Sequence, residues 1–347
     1  AMINYFFISS PLHFFIATNL AISHKNDTNI AIFMSKNKKT ALQYSHASNK
    51  FKNIFQHTYD LTIGNIGKKM VDRKQSFNNI KTIILSYPPD SIYTGNDRRV
   101  EFQYAMFKAS RINKNVKGIY MDDGAISYLG HKSLAKLSHR YIDPLLKKIF
   151  YGFWWKPPLT TGSSNWISQA YLAYPKYAHP LLKGKKIKSI NREIFSNEEF
   201  NQLNHFLTES YTELNDIDFS NIKAVLCLPF ESFYLNNNEF IIKIKSYLDT
   251  QYKANEVAFK PHPRSKNTTL LNEIFTESIA LPRTLGMELL LSKLDKQTCV
   301  FGDFSSTLLT TKWLRPELET QAFELKLSYQ PELKSLFQNL NIKFITI

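Results

Sequence analysis

Short apolar runs alternate with longer amphipathic stretches along the chain. Tyr5-Phe6-Phe7-Ile8 reads as a buried strand. Ser9-Ser10-Pro11-Leu12 then turns into a helix, with Ser10 as its cap and Pro11 as its first residue. Asn29 to Met34 reads as a second strand, and Thr82 to Ser86 as another that ends at Pro88-Pro89. Asp97 to Ser110 has helical periodicity, and Gly118-Ile119-Tyr120-Met121 is a short strand delivering Asp122. A polar stretch from Ser163 to Asp218 follows, with the basic run Lys183-Gly184-Lys185-Lys186-Ile187-Lys188 inside it. A second series then begins. Lys223 to Leu228, Glu256 to Phe259, Glu277 to Leu281, Thr298 to Phe301 and Lys343 to Ile347 read as strands. Asn238 to Tyr252, Thr284 to Leu294 and Leu333 to Leu340 read as helices.

Strands alternating with helices predict βαβ units and a largely parallel sheet. Two such series predict an α/β chain of two Rossmann-like domains facing a central cleft. The boundary is expected within the polar stretch, around 195–222, which gives domains 1–205 and 206–347. A length of 347 residues suits two domains of ordinary size. The apolar stretch from Ile3 to Ile22 is about as long as a membrane span. Asn4, Ser9, Ser10, Pro11, His13 and Asn19 interrupt it, so it reads as strand, turn and helix rather than an anchor or signal peptide.

Composition narrows the chemistry. The hydrophobic fraction of 43% is that of a globular chain, and 26 Phe with 18 Tyr must fill much of the core with large rings. Eleven glycines and no G-x-G-x-x-G argue against a glycine-rich nucleotide loop. Gly64-Asn65-Ile66-Gly67-Lys68-Lys69 departs from a P-loop at both ends, with Thr62 for the first Gly and Lys69 for the Ser/Thr. Cys227 and Cys299 lie in apolar runs and read as buried thiols in a reducing compartment. No Cys/His metal spacing is present.

The formal net charge of +15 points to an anionic partner: nucleic acid, an acidic glycan or a membrane surface. The alternative is a plain compositional lean toward lysine. No nucleic-acid module is recognisable, so nucleic acid is not the expected partner. Across 131–158, His139, Arg140, Lys147, Lys148 and Lys156 alternate with Tyr141, Ile149, Phe150, Tyr151, Phe153, Trp154 and Trp155. That mixture suits a membrane interface or an anionic glycan, and equally a helix packed on the sheet with a solvated basic side.

Three loops at strand ends carry the candidate chemistry, where open α/β sheets bind ligands. Asp122-Asp123-Gly124 offers adjacent carboxylates. Neighbours on an extended backbone point opposite ways, so only one should face a ligand, and Gly124 permits a sharp turn. A desolvated carboxylate there can take a proton from a hydroxyl. The bland alternative is a turn with capping aspartates. Lys260-Pro261-His262-Pro263-Arg264 clamps one imidazole between two prolines, with cations on both sides. Such a histidine can protonate a phosphate leaving group or stabilise its charge. Ser305-Ser306-Thr307 opens a helix, which makes either an anion site or an ordinary cap, with Asp303 as a further cap candidate. Asp216-Ile217-Asp218 has the look of a D-x-D metal site but lies in a polar connector, and reads as linker and capping.

These three motifs, in this order, resemble those of the bacterial sialyltransferases, including the capsular polysialyltransferases and lipooligosaccharide sialyltransferases. Ser10-Pro11-Leu12-His13 after the first strand is also similar to them. The resemblance implies a GT-B fold and an inverting, metal-independent transfer from CMP-sialic acid to a bacterial surface glycan, acidic or neutral. It makes Asp122 the general base and places His262 on the CMP phosphate. It sets Ser305 and Ser306 on the donor phosphate or carboxylate, with Asp123, Gly124, Lys260, Pro263, Arg264, Ser10 and His13 around the substrates. Glu288, in Gly286-Met287-Glu288, is the nearest match to a ribose-binding glutamate. A cytoplasmic enzyme follows, free or peripheral on the inner face of the inner membrane. Rival readings are a transferase for another CMP-activated nonulosonate or Kdo, a non-catalytic binder of anionic glycan and, third, a nucleic-acid protein marked by steep salt dependence.

Overall fold

The computed structural model describes residues 1–35, 37–62, 69–130, 145, 146, 148, 149, 151–303, 305–324 and 331–347. The chain divides into two compact units, Ala1–Leu207 and Thr208–Ile347.

The first unit holds β1 (Ile3–Ile8), β2 (Thr28–Phe33), β3 (His57–Asp60), β4 (Ser91–Thr94), β5 (Lys117–Met121), β6 (Ile167–Leu172) and β7 (Lys186–Ser189). They form one sheet in the order β3-β2-β1-β4-β5-β6-β7, and every pairing is parallel. Helices α1 (Pro11–Ser23), α2 (Lys38–Lys50), α3 (Lys69–Ser86), α4 (Val100–Ile112) and the single turn α5 (Ile126–Leu129) connect its strands. Strands covered on both faces read as continuous apolar runs, and β1 is one: Tyr5, Phe6, Phe7 and Ile8 are all buried. The order reverses between β1 and β4, so their C-terminal ends flank the position where such sheets bind ligands.

After α6 (Glu198–Glu209), the second unit repeats the plan. It holds β8 (Ala224–Cys227), β9 (Val257–Lys260), β10 (Ile279–Ala280), β11 (Cys299–Gly302), β12 (Thr320–Glu324) and β13 (Lys343–Thr346). Their order is β10-β9-β8-β11-β12-β13, all parallel, with the reversal between β8 and β11. The helices are α7 (Glu239–Asp249), α8 (Thr269–Ile274), α9 (Met287–Leu291), α10 (Ser306–Leu314) and α11 (Pro331–Asn339). Aromatic rings organise the core as the composition anticipated. Phe301 stacks on Phe323 at 5.7 Å and meets Tyr247 and Tyr252 edge-on.

Two readings of the sequence are corrected. Thr82 to Ser86 is the last turn of α3, not a strand, and the strand is Ser91–Thr94, beyond the two prolines. Ile80, Ile83 and Ile84 are buried while Leu85 is 66% exposed, which is helical spacing. The polar stretch 163–218 is not a bare connector: it contributes β6 and β7. Lys186 and Lys188 of the basic run lie on β7, the outer strand, where charge blunts an exposed edge. Lys185 is anchored instead, donating from Nζ to the carbonyls of Ser164 and Ile167 at 2.8 Å each.

No helix among the described residues is long and apolar enough to cross a membrane. The stretch Ile3 to Ile22 is strand, turn and helix. The P-loop-like residues 64–68 lie outside the described residues, as do His139, Arg140, Tyr141, Lys147 and Phe150 of the basic–aromatic segment. Of the rest of that segment, Trp154 packs on Phe77, Tyr104 and Phe107, and Trp155 is buried, whereas Phe153 is 92% exposed.

The helical reading of α3 predicts that Ile83→Ala and Ile84→Ala each cost about 2–5 kcal/mol, because both fill the same core. Leu85→Ala should stay within about 0.5 kcal/mol of the parent. Chemical denaturation of the three variants checks this: a loss at Leu85→Ala as large as at the two isoleucines would contradict the helical spacing.

Candidate active site

The Asp122-Asp123-Gly124 loop leaves the C-terminal end of β5, and its two carboxylates do different things. Asp122 is 3% exposed, and both its oxygens are engaged. Oδ1 accepts from the Gly124 N–H at 2.7 Å; Oδ2 accepts from the Ala173 N–H at 2.9 Å and from the Tyr128 hydroxyl. Burial raises its pKa, while the Tyr128 hydroxyl and the Ala173 and Gly124 amides work against the rise. Gly124 has φ +80°, which lets the chain fold back so that its own N–H reaches the carboxylate. Asp122 thus ties the end of β5 to the residue after β6 and to α5.

Asp123 points the other way, and its side chain is 30% exposed. Its Oδ1 accepts from Nε2 of His13 at 2.6 Å. His13 lies in the first turn of α1, after the end of β1, and is buried. Its Nδ1 meets the Ser9 hydroxyl at 3.0 Å, so both ring nitrogens are occupied. Ser10 caps α1 by accepting the His13 N–H at 3.2 Å. The ring lies against Gly95, just past β4: a Cβ there would sit 2.0 Å from His13 Nε2. Ser9, His13, Gly95 and Asp123 therefore gather at the ends of β1, β4 and β5, at the point where the strand order reverses. Arg99, which precedes α4, adds a cation: burial lowers its pKa, and Glu101 and Asp123 oppose that shift.

In the second unit, Lys260 ends β9 beside Cys227 at the end of β8. It is buried; desolvation lowers its pKa, and the charges of Cys227 and Glu288 act against this. Glu288 sits in the first turn of α9. His262 is half-buried, with the Phe230 ring edge-on at 5.7 Å, and Pro263 and Arg264 are exposed. Ser305 occupies the position before α10 but makes no capping bond there. Its side chain instead bonds Asp303, whose pKa is raised by burial. Without that cap, the first turn of α10 keeps its attraction for anions. Asp218 accepts from the Ser220 and Asn221 side chains and the Ser220 N–H, as a capping residue does. Cys227 and Cys299 are free and buried, and burial pushes both thiols up to about 12.

Several contributors were given no role by sequence reasoning, Gly95 and Arg99 among them. Ser9 and Tyr128 orient His13 and Asp122. Arg283 and Glu231 brace the loop after His262. Each acts through a fold-dependent contact, and only Ser9, adjacent to Ser10, stood near a motif already singled out.

The two parallel α/β sheets, of seven and six strands, define a GT-B-like fold. Solved structures share it at low identity, which speaks to fold alone. An α/β-galactoside α-2,3-sialyltransferase from the luminous marine bacterium Photobacterium phosphoreum has a TM-score of 0.62 at 12% identity, covering 99% of this chain and 98% of its own. A UDP-GlcNAc 2-epimerase from Methanocaldococcus jannaschii has a TM-score of 0.56 at 12% identity, covering 100% and 89%. TcCGT1, solved in complex with UDP, has a TM-score of 0.53 at 13% identity, covering 100% and 86%. No curated protein matches by sequence. The family model for alpha-2,8-polysialyltransferase (POLYST) matches residues 4–322, and the chain belongs to that family. It is a sialyltransferase, a glycosyltransferase that uses CMP-sialic acid.

The engaged oxygens of Asp122 predict a structural penalty. Asp122→Asn turns one acceptor into a donor facing buried donors, at a cost of about 1–3 kcal/mol for each hydrogen bond lost. The denaturation midpoint should fall measurably, whereas Asp123→Asn should leave it in place.

Proposed function

We propose that the chain transfers sialic acid, with inversion, from CMP-sialic acid to a hydroxyl of a bacterial surface glycan: a capsule, O-antigen or lipooligosaccharide. The N-terminal unit serves the acceptor and the C-terminal unit the nucleotide. The donor's anomeric carbon bears a carboxylate, and its leaving group is a phosphate. Lys260, His262, Arg264 and the start of α10 with Ser305 and Ser306 supply the cationic and dipolar field that such a group needs. Glu288 is kept as the candidate for the ribose.

The observation that carries the acceptor side is the contrast between Asp122 and Asp123. The resemblance gives the proton-accepting role to Asp122. Its burial and its engaged oxygens argue for moving that role to Asp123, the partly exposed carboxylate fixed by His13. Asp123 accepts the acceptor's proton as the new bond forms, and Asp122 and Gly124 hold the loop in shape. Ser10 and His13 then act by position rather than by touching sugar. Inversion follows when the acceptor attacks the face opposite the departing phosphate.

The net charge of +15 favours an acidic acceptor such as a glycan that already carries sialic acid. Exposed Ile149 and Phe153 beside Lys148 and Lys156 support peripheral contact with the inner face of the inner membrane.

Incubation with CMP-sialic acid and a panel of neutral and sialylated acceptors, read by mass and CMP release, tests the reading. New sialosides should form, most on the acidic acceptors. Asp123→Asn should lower transfer by about 10²–10⁴-fold with an unchanged denaturation midpoint. Full activity in that variant removes Asp123 from the mechanism; no CMP release with any acceptor removes the transfer itself.

A further inference from the structure

The backbone around His262 assigns a protonation state to its ring. His262 to Ser265 forms a turn closed by the Ser265 N–H on the His262 carbonyl at 3.0 Å. Pro263 occupies the second position, where its fixed φ fits. Pro263 has no N–H, so the next backbone donor belongs to Arg264. That N–H donates to Nδ1 of His262 at 3.1 Å. A ring nitrogen that accepts an N–H carries no proton of its own, so the imidazole proton sits on Nε2. A second proton on Nδ1 would meet the Arg264 N–H head-on.

The surroundings push the same way. Desolvation, then the charges of Arg264 and Lys260, hold the imidazole down at about 4. The Phe230 ring, edge-on, contributes no charge. The turn is also held from outside. The Arg283 guanidinium donates to the carbonyls of Pro263 and Ser265 at 3.2 and 2.8 Å. Glu231 Oε2 accepts from the Lys266 and Asn267 N–H groups at 3.0 and 2.7 Å, and the Ser265 hydroxyl accepts from the Glu231 N–H.

We propose that His262 works as a fixed, neutral hydrogen-bond donor, its Nε2–H aimed at a phosphate oxygen of the departing nucleotide, and that it gives up no proton. This rests on reading the loop as the phosphate's site. The glycosidic C–O bond then breaks with its electron pair going to the phosphate. The acceptor oxygen bonds to the anomeric carbon, its proton goes to Asp123, and CMP leaves as a phosphate dianion. Protonation is dispensable for such a group, because the second pKa of a phosphate monoester is about 6.

The test combines nitrogen NMR of ¹⁵N-histidine-labelled protein with two variants. From about pH 6 to 8, His262 should keep a protonated Nε2 and a bare Nδ1, without titrating, and CMP should shift the Nε2–H alone. His262→Gln, which keeps a neutral donor, should retain at least about tenfold more transfer than His262→Ala, which should fall about 10²–10³-fold. A protonated Nδ1 in the CMP complex within that range overturns the proposal, as does a Gln variant no better than Ala. If CMP leaves the His262 signals untouched while the tautomer is as expected, the phosphate reading of the loop is what fails, and the proposal falls with it.

Discussion

The loop at the end of β5 depends on one buried carboxylate. A charged group 3% exposed at the end of a parallel strand needs partners, and Asp122 finds them on the residue after β6, on α5 and in its own loop. Once it is turned inward, backbone alternation leaves its neighbour little choice. Asp123 must face the other side, where the buried imidazole of His13 waits at the end of β1. The direction in which Asp123 points is thus set by a neighbour whose own oxygens are already engaged. This is a common economy in α/β enzymes, where rigid strand ends position what the loops present.

The second unit solves the opposite electrostatic problem with the same topology. There the sheet collects positive potential: a desolvated lysine on β9, a turn stiffened by two prolines, and a helix start whose cap is diverted to Asp303. Arg283 and Glu231 hold the turn through its carbonyls, its N–H groups and the Ser265 hydroxyl. Of the His262 ring, Nδ1 takes part in the loop itself, through the Arg264 N–H.

Much of this was legible in the sequence. The apolar runs gave β1, β2, β5, β8 and β11, but not β4, which is buried along its whole length, nor β12; these two short stretches mix Ser, Thr and Gln with apolar residues. The cap at Ser10 and the glycine turn at Gly124 followed from residue chemistry. What stayed hidden depends on partners. The polar edge strands β3 and β7 show no apolar signature, because half their surroundings are solvent. The end of α3 mimicked a strand because Thr82-Ile83-Ile84-Leu85 is β-branched and apolar, and only the burial of Ile80 reveals its period. Alternation said that one of the two aspartates would face a ligand. Which one depends on where β6 ends, and no local pattern carries that. The pairing of His13 with Asp123 spans 110 positions and is equally silent.

Gly95 carries a consequence for how this site can change. Its hydrogen lies where a methyl group would strike the imidazole of His13, so the two positions are not free to vary separately. A lineage keeping histidine at 13 is confined to glycine at 95. One that trades the histidine for a smaller side chain releases 95 to drift, and return is then blocked until the glycine is restored. The order of substitutions, not just their identity, decides which descendants of this protein remain reachable.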